Sequence, residues 1–344
     1  MLERYILRAG PVLGPDPVFD SDNERSSGAG SGPLAAKGLS LFRRGQPAGS
    51  PSPEATLAAD PTRVGDLREV FAQPLPPAWL GTTDPWDELA EITPDSDVLA
   101  RNNLFPNPGE NPAVAAFDTL RTRLLQGVAD RGWSRIAITS PMHGCGKSFV
   151  ALNLAFSLAR RAQSRTVLVD LDLRRPAIAG LLGMENGGAL TKARWPGGRL
   201  RKTNTGKGDV VAPLADFLQG GQPMPPYFRR FGRTLALGLN GCGVPAASDL
   251  LHHPGVAPSL AAMQLQLGSE VVLYDMPPAL VCDDVTTMAG QVDAVLLVTD
   301  GARSSAADIR ACIRLFEGRL PLLGVVLNRA QDRRLARYRY GSGA

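Results

Sequence analysis

A mostly parallel α/β sheet with helices on both faces, preceded by a long disordered N-terminal arm, is predicted by three observations. Six short runs of Val, Leu and Ile recur along residues 135–327, separated by stretches of helical spacing. Such continuous apolar runs are what strands buried on both faces require. A glycine-rich stretch, Ser140–Ser148, stands between the first run and a helical segment. The composition also shifts: segment 10–60 holds GPVLGPDP, SSGAGSGP and GQPAGSPSPEA, whereas apolar runs dominate from Arg135 onward.

Taken in order, residues 1–110 are poor in periodicity and rich in Pro, Gly, Ser and Asp, which predicts a disordered region. Within it, Asp66–Ala72 is amphipathic over one or two helical turns. It reads either as a docking motif or as a transient helix without a role. Order is predicted from Asn111 to 330. Pro112 suits a first helical turn, and 113–129 places Val114, Phe117, Leu120, Leu124 and Leu125 on one face. Arg135–Thr139 is a short buried strand, and Lys147–Arg161 is a helix. Thr166–Asp170, Leu235–Leu239, Glu270–Asp275, Asp293–Thr299 and Leu322–Leu327 are the further strands. Residues 331–344 read as a flexible basic tail containing Tyr338 and Tyr340.

The formal charge of +4 does not by itself indicate a nucleic-acid partner. The charge is concentrated in two places. The tail segment Arg329–Tyr340 has five arginines against Asp332, and Lys192–Lys207 has six basic residues and no acid. Solvated loops and an acidic or phospholipid partner both fit these runs. Four scattered cysteines suggest neither a zinc site nor a disulfide frame, and no apolar run reaches the roughly 18 residues of a membrane span. The chain therefore reads as cytoplasmic.

Ser140-Pro-Met-His-Gly-Cys-Gly-Lys-Ser148 carries the strongest chemical signal. Gly144 and Gly146 permit a backbone turn that aims several N–H groups at a phosphate. Lys147 can reach the β- and γ-phosphates, the Ser148 hydroxyl can ligate Mg²⁺, and the following helix presents its dipole to the same anion. This is a P-loop, with Pro141 where the strict pattern has glycine. The nucleotide site is read as His143, Gly144, Cys145, Gly146, Lys147, Ser148 and Phe149. The second element, VLVDLDLRRP, ends a strand with Asp170 and Asp172. The third, VVLYDMPP, ends a strand with Asp275. Carboxyl ends of parallel strands border the ligand crevice, where such acids can hold hydrated metal or accept a proton. Capping of the following loop or turn, or a surface salt bridge with Arg174, are the ordinary alternatives. His252 and His253 lack a third ligand and read as surface residues, not a metal site.

The order of these motifs, continued by DAVLLVTDGARSSAADI and LLGVVLNRA, resembles the bacterial tyrosine kinase (BY-kinase) family, the CpsD/CapB-type partners of polysaccharide chain-length regulators, over about 113–330. The stretch Asp216-Phe-Leu-Gln-Gly220 resembles another family element. The resemblance implies a P-loop NTPase fold of the MinD/ParA-like superfamily and an ATP- and Mg²⁺-dependent autokinase. That enzyme would regulate capsular or exopolysaccharide synthesis and export. It implies Lys147, Asp170, Asp172 and Asp275 as catalytic, with Asp170 near the attacking tyrosyl oxygen. Ser148, Asp172 and Asp275 would attend the metal, and Asn328 the adenine. Tyr338 and Tyr340 would be acceptors for a neighbouring subunit. The implied partners are a membrane-embedded polysaccharide co-polymerase and further copies of this chain, at the inner face of the cytoplasmic membrane.

Departures from the family pattern leave two other readings open. Where the family's first helix has ExxRxxR, used in ring assembly, this chain has Ala115, Asp118 and Arg121. Cys145 stands where Glu is common. A ParA/MinD-like ATP-gated switch would carry a signature lysine at the position of Met142. A non-catalytic ATP-binding regulator of the co-polymerase is the third reading.

Overall fold

The computed structural model describes residues 6–9, 84–184, 213–244 and 246–330. The arm's amphipathic segment 66–72, the basic stretch 192–207 and the tail with Tyr338 and Tyr340 lie outside them.

The strands are β1 (Ile6–Ala9), β2 (Ala90–Glu91), β3 (Arg135–Thr139), β4 (Thr166–Asp170), β5 (Phe228–Phe231), β6 (Leu235–Gly238), β7 (Val271–Asp275), β8 (Ala294–Asp300) and β9 (Leu322–Ala330). They form one sheet in the order β1-β9-β8-β3-β7-β4-β6-β5-β2. From β9 to β6 every neighbour runs parallel. β5 joins β6 antiparallel, and β1 joins β9 antiparallel at the far edge. β4 follows β3 in the chain, yet β7 lies between them, so the chain reverses direction across the sheet beside β3. That is where α/β sheets open a crevice at the strands' carboxyl ends.

Helix α1 is Ser96–Arg101, α2 Pro112–Ala129, α3 Lys147–Ala159 and α4 Ile178–Leu181. Next come α5 (Leu214–Leu218), α6 (Ala247–Leu251), α7 (Val256–Leu267), α8 (Asp284–Thr287) and α9 (Ala306–Phe316). Side chains alternate across a strand. In β3, Ile136 and Ile138 therefore join the core under α2 and α3, while Ala137 joins the core under α6, α7 and α9. α2 starts where its sequence predicts, with the Asn111 side chain accepting from Ala113 N at 2.9 Å and Pro112 in the first turn.

The arm boundary at 110 is corrected. Residues 84–110 form a strap around the β5 edge, supplying β2 and α1. Trp86 and Leu89 are buried in one core, and Ile92 and Leu104 in the other. Asn153 Oδ1 accepts from Phe105 N at 2.9 Å, and Asn102 Nδ2 donates to Leu181 O at 2.7 Å. Four apolar residues at irregular spacing carry no periodic signal, which is why the strap reads as disorder. Residues 6–9 likewise form strand, inside the segment read as arm.

Candidate active site

The P-loop joins β3 to α3. Gly144 (φ 82°) and Gly146 (φ 87°) adopt left-handed conformations that side chains disfavour. At Gly146 a Cβ would lie 2.2 Å from Asn328 Nδ2, so only glycine fits. Gly146 caps α3, and no side chain occupies that helix N-terminus as a cap. The loop is braced from below: Thr139 Oγ1 donates to Pro277 O at 2.6 Å and Ala279 N to Ser140 O at 2.8 Å. The segment after β7 thereby fixes the loop's floor.

Lys147 turns back toward the strand ends. Its ammonium lies 2.7 Å from Asp172 Oδ2, 3.4 Å from Asp275 Oδ1 and 3.1 Å from Ser148 Oγ. All of these groups are buried. Burial alone would depress the Lys147 pKa, but Asp275 and Asp172 outweigh it and hold it above its ordinary value. The lysine stays charged. Asp170 lies on the same sheet row as Asp275, its register partner across β4 and β7. Burial, with the Asp275 charge beside it, pushes the Asp170 carboxyl well above the usual range. Burial also raises Asp275, against the pull of Lys147. Asp170 Oδ2 accepts from Ala177 N and Ile178 N, each at 3.1 Å, so its carboxylate plane is fixed.

The structure thus brings Lys147, Ser148, Asp170, Asp172 and Asp275 to one end of the sheet. Arg174 pairs with Asp284 at 3.1 Å, and Lys147 takes Asp172 instead. His143 is exposed on the loop. Phe149 packs edge-on against Phe117, 5.9 Å between centroids, on the α2 side. Asn328 is 1% exposed and donates to Cys145 O at 2.9 Å, so its amide braces the loop from behind. Asp300 and Arg329 were missed by sequence reasoning, although both stand at this loop: Arg329 Nη1 donates to Gly144 O at 2.7 Å and pairs with Asp300 at 2.6 Å. The signal that picks out Asp275, an acid ending an apolar strand, applies equally to Asp300.

The residues present fit a magnesium ion. Asp170 Oδ1 and Asp275 Oδ2 are buried with no hydrogen-bond partner among the described residues. A buried carboxylate oxygen left so is costly, and metal-bound water supplies the missing protons. Among the described residues no three His, Cys, Asp or Glu side chains form a cage of their own. That suits an ion that keeps several waters and takes its other ligands from phosphate.

Residues 136–339 match the model of the CobQ/CobB/MinD/ParA nucleotide binding domain. EpsB of Ralstonia solanacearum, provisionally named a tyrosine-protein kinase, is 31% identical over 238 residues, which are 68% of this chain and 28% of that protein. The chain thus spans little more than a quarter of that relative's length. The tyrosine-protein kinase YwqD of Bacillus subtilis (strain 168) is 26% identical over 228 residues, covering 65% of this chain and 84% of YwqD. Among solved structures, the VpsO kinase domain superposes with a TM-score of 0.51 at 25% identity, over 68% of this chain and 98% of that domain.

Proposed function

The chain belongs to the CobQ/CobB/MinD/ParA nucleotide-binding family, and from that premise we propose that it is an ATP-dependent protein-tyrosine autokinase regulating capsular or exopolysaccharide synthesis. The observation that carries this is the pair of acids at the end of β4, Asp170 closing the strand and Asp172 just beyond it, with Asp172 2.7 Å from the P-loop lysine Lys147. A nucleotide switch needs the lysine and a metal-holding acid. A transferase also needs a group to take the acceptor's proton, and in this reading Asp170 supplies it.

In this reading Lys147, kept charged by Asp172 and Asp275, binds the β- and γ-phosphates. Ser148, Asp172 and Asp275 would hold magnesium, which when bound neutralises phosphate charge. The acceptor tyrosine's oxygen bonds to the γ-phosphorus as the bond to the ADP oxygen breaks. Asp170, whose raised pKa suits a base, takes the phenol proton. Tyr338 and Tyr340 would be the acceptors, in a tail that begins directly after β9. Phosphate there subtracts up to about 2 charges from an arginine-rich segment.

Among the described residues no helix is long and apolar enough to cross a membrane. A separate membrane polysaccharide co-polymerase would recruit and activate this chain at the inner face of the cytoplasmic membrane. The similarity to EpsB and YwqD, both named tyrosine-protein kinases, supports the kinase part of the reading.

Incubation with ATP and Mg²⁺ should add phosphate at Tyr338 or Tyr340, read by mass spectrometry of the tail. Lys147→Met should lower incorporation at least 100-fold, on the order of 3 kcal/mol of transition-state stabilisation. Equal labelling of that variant would remove the kinase reading. A second reading, an ATP-gated switch of the MinD/ParA kind, is favoured by the match of residues 136–339 to the CobQ/CobB/MinD/ParA nucleotide binding domain. ATP turnover with unmodified tyrosines would establish it.

A further inference from the structure

We propose that Arg329, held by Asp300, and Asn328 are positioning residues that set the direction of two P-loop peptides; this rests on the nucleotide reading above. The end of β9 runs behind the loop and grips two successive carbonyls. Arg329 Nη1 donates to Gly144 O at 2.7 Å, and Asn328 Nδ2 donates to Cys145 O at 2.9 Å.

Both donors are themselves fixed. Arg329 pairs with Asp300 Oδ2 at 2.6 Å, and that carboxylate is 1% exposed, with Oδ1 accepting from Ala302 N at 2.8 Å. Asn328 Oδ1 accepts from Arg329 N at 3.0 Å, which fixes the amide's orientation.

In a trans peptide the carbonyl and the next N–H point in opposite directions. Drawing the carbonyls of Gly144 and Cys145 toward β9 therefore turns the N–H groups of Cys145 and Gly146 away from it, toward the concavity at the start of α3. Neither N–H donates to an acceptor among the described residues. Those are the donors a β-phosphate needs. The clamp prepares them before the nucleotide arrives, so no reorientation is required on binding.

Two features separate this role from ordinary packing. The Arg329 side chain is 43% exposed, so it contributes little to the core. Its backbone sits at φ +55°, a left-handed conformation unfavourable for any residue with a Cβ. The residue is thus locally strained while its guanidinium reaches the loop.

The strain supplies a test in which positioning and stability are separated. Arg329→Gly removes the clamp and relieves the backbone. It should bind MgADP about tenfold more weakly, the loss of one charge-assisted hydrogen bond, in calorimetric titration of the full chain. Relief of the backbone strain offsets the loss of the Asp300 pair, which nearby Arg303 partly replaces, so its nucleotide-free thermal midpoint should stay within about 3 °C of wild type. Arg329→Lys keeps a charged donor and should stay within about threefold of wild-type affinity. Wild-type affinity in the glycine variant overturns the proposal. So does a loss of affinity that only accompanies a lowered midpoint, or a lysine variant as weak as the glycine one. A wild-type chain that takes up no MgADP overturns the nucleotide reading itself, a result no Arg329 variant can produce.

Discussion

The P-loop at 140–148 and the strap at 84–110 are both irregular segments tied to the same sheet, and they are specified in opposite ways. The loop is written locally. Gly144 and Gly146 take the left-handed turns, Lys147 and Ser148 open the helix, and the strand and helix on either side supply the frame. The strap has almost no local rule. It is held by Trp86, Leu89, Ile92 and Leu104 entering cores on two faces of the sheet, partners far away in sequence. A segment that carries chemistry must present particular backbone groups, so its residue types are constrained one by one. A segment that carries stability needs only apolar volume at the right places.

That contrast makes its largest prediction at Trp86. The residue is 3% exposed, and Arg165 lies 5.0 Å over its ring. Trp86→Ala should cost about 3–5 kcal/mol, read as a lowered urea midpoint. The affinity of still-folded protein for MgADP should change less than about threefold. The indole N–H is buried without a hydrogen-bond partner among the described residues, so Trp86→Phe should recover most of the loss. If affinity collapsed in parallel with stability, the strap and the loop would be one cooperative unit, and the contrast would fail.

At the site the sign reverses, because the chemistry is held at a cost to the fold. The Asp170 carboxyl is raised well above its ordinary value, chiefly by burial and by Asp275. The native state therefore binds this proton more tightly than the unfolded chain. Its stability falls as pH rises from the ordinary carboxylate value through the raised one, and the cost persists above that. Asp170→Asn keeps an acceptor for Ala177 N and Ile178 N while removing the charge. It should raise the thermal midpoint by about 3–6 °C at pH 8, with the gain vanishing near pH 3, where the native carboxyl is neutral too. Tyrosine phosphorylation should fall by about 100-fold or more. A variant with an unchanged midpoint would show that the buried carboxylate is not strained, and would narrow the difference between site and strap.

How much of this was legible follows the same division. The six central strands were readable because a parallel strand buried on both faces is a continuous apolar run, and Asp170 and Asp275 were readable because each ends one. β5 was not: Phe228-Arg-Arg-Phe231 is an antiparallel strand near the sheet edge, and its two arginines break the run. Asp300 ends β8 as Asp275 ends β7, but its meaning depends on Arg329, a contact that no spacing encodes. Asn328 was legible as a strand-end residue at the site. Its bond to Cys145 O was not, because a side chain's choice between a base and a backbone carbonyl is made in three dimensions.

The smallest effect is expected on α2, where sequence comparison and structure give one residue different work. Asp118 stands at a position that the resemblance associates with assembly between copies. Here its Oδ1 accepts from Ser157 Oγ at 2.6 Å and from Arg121 Nη1 at 3.1 Å, and it also pairs with Arg160. Arg121 donates in turn to Ser157 O at 2.9 Å. The charged face of α2 is thus spent on pinning α2 to α3, the helix that the P-loop begins. The Asp118 side chain is 34% exposed, so solvent screens the pair and Asp118→Ala should cost no more than about 1 kcal/mol. Its midpoint should drop by about 2–4 °C, with MgADP affinity unchanged. Sedimentation of the variant should match that of wild type, since the contacts lie within one chain. A loss of self-association at unchanged midpoint would return Asp118 to an interface between copies, and would mean that a network satisfied inside one chain can still be exchanged for contacts with another.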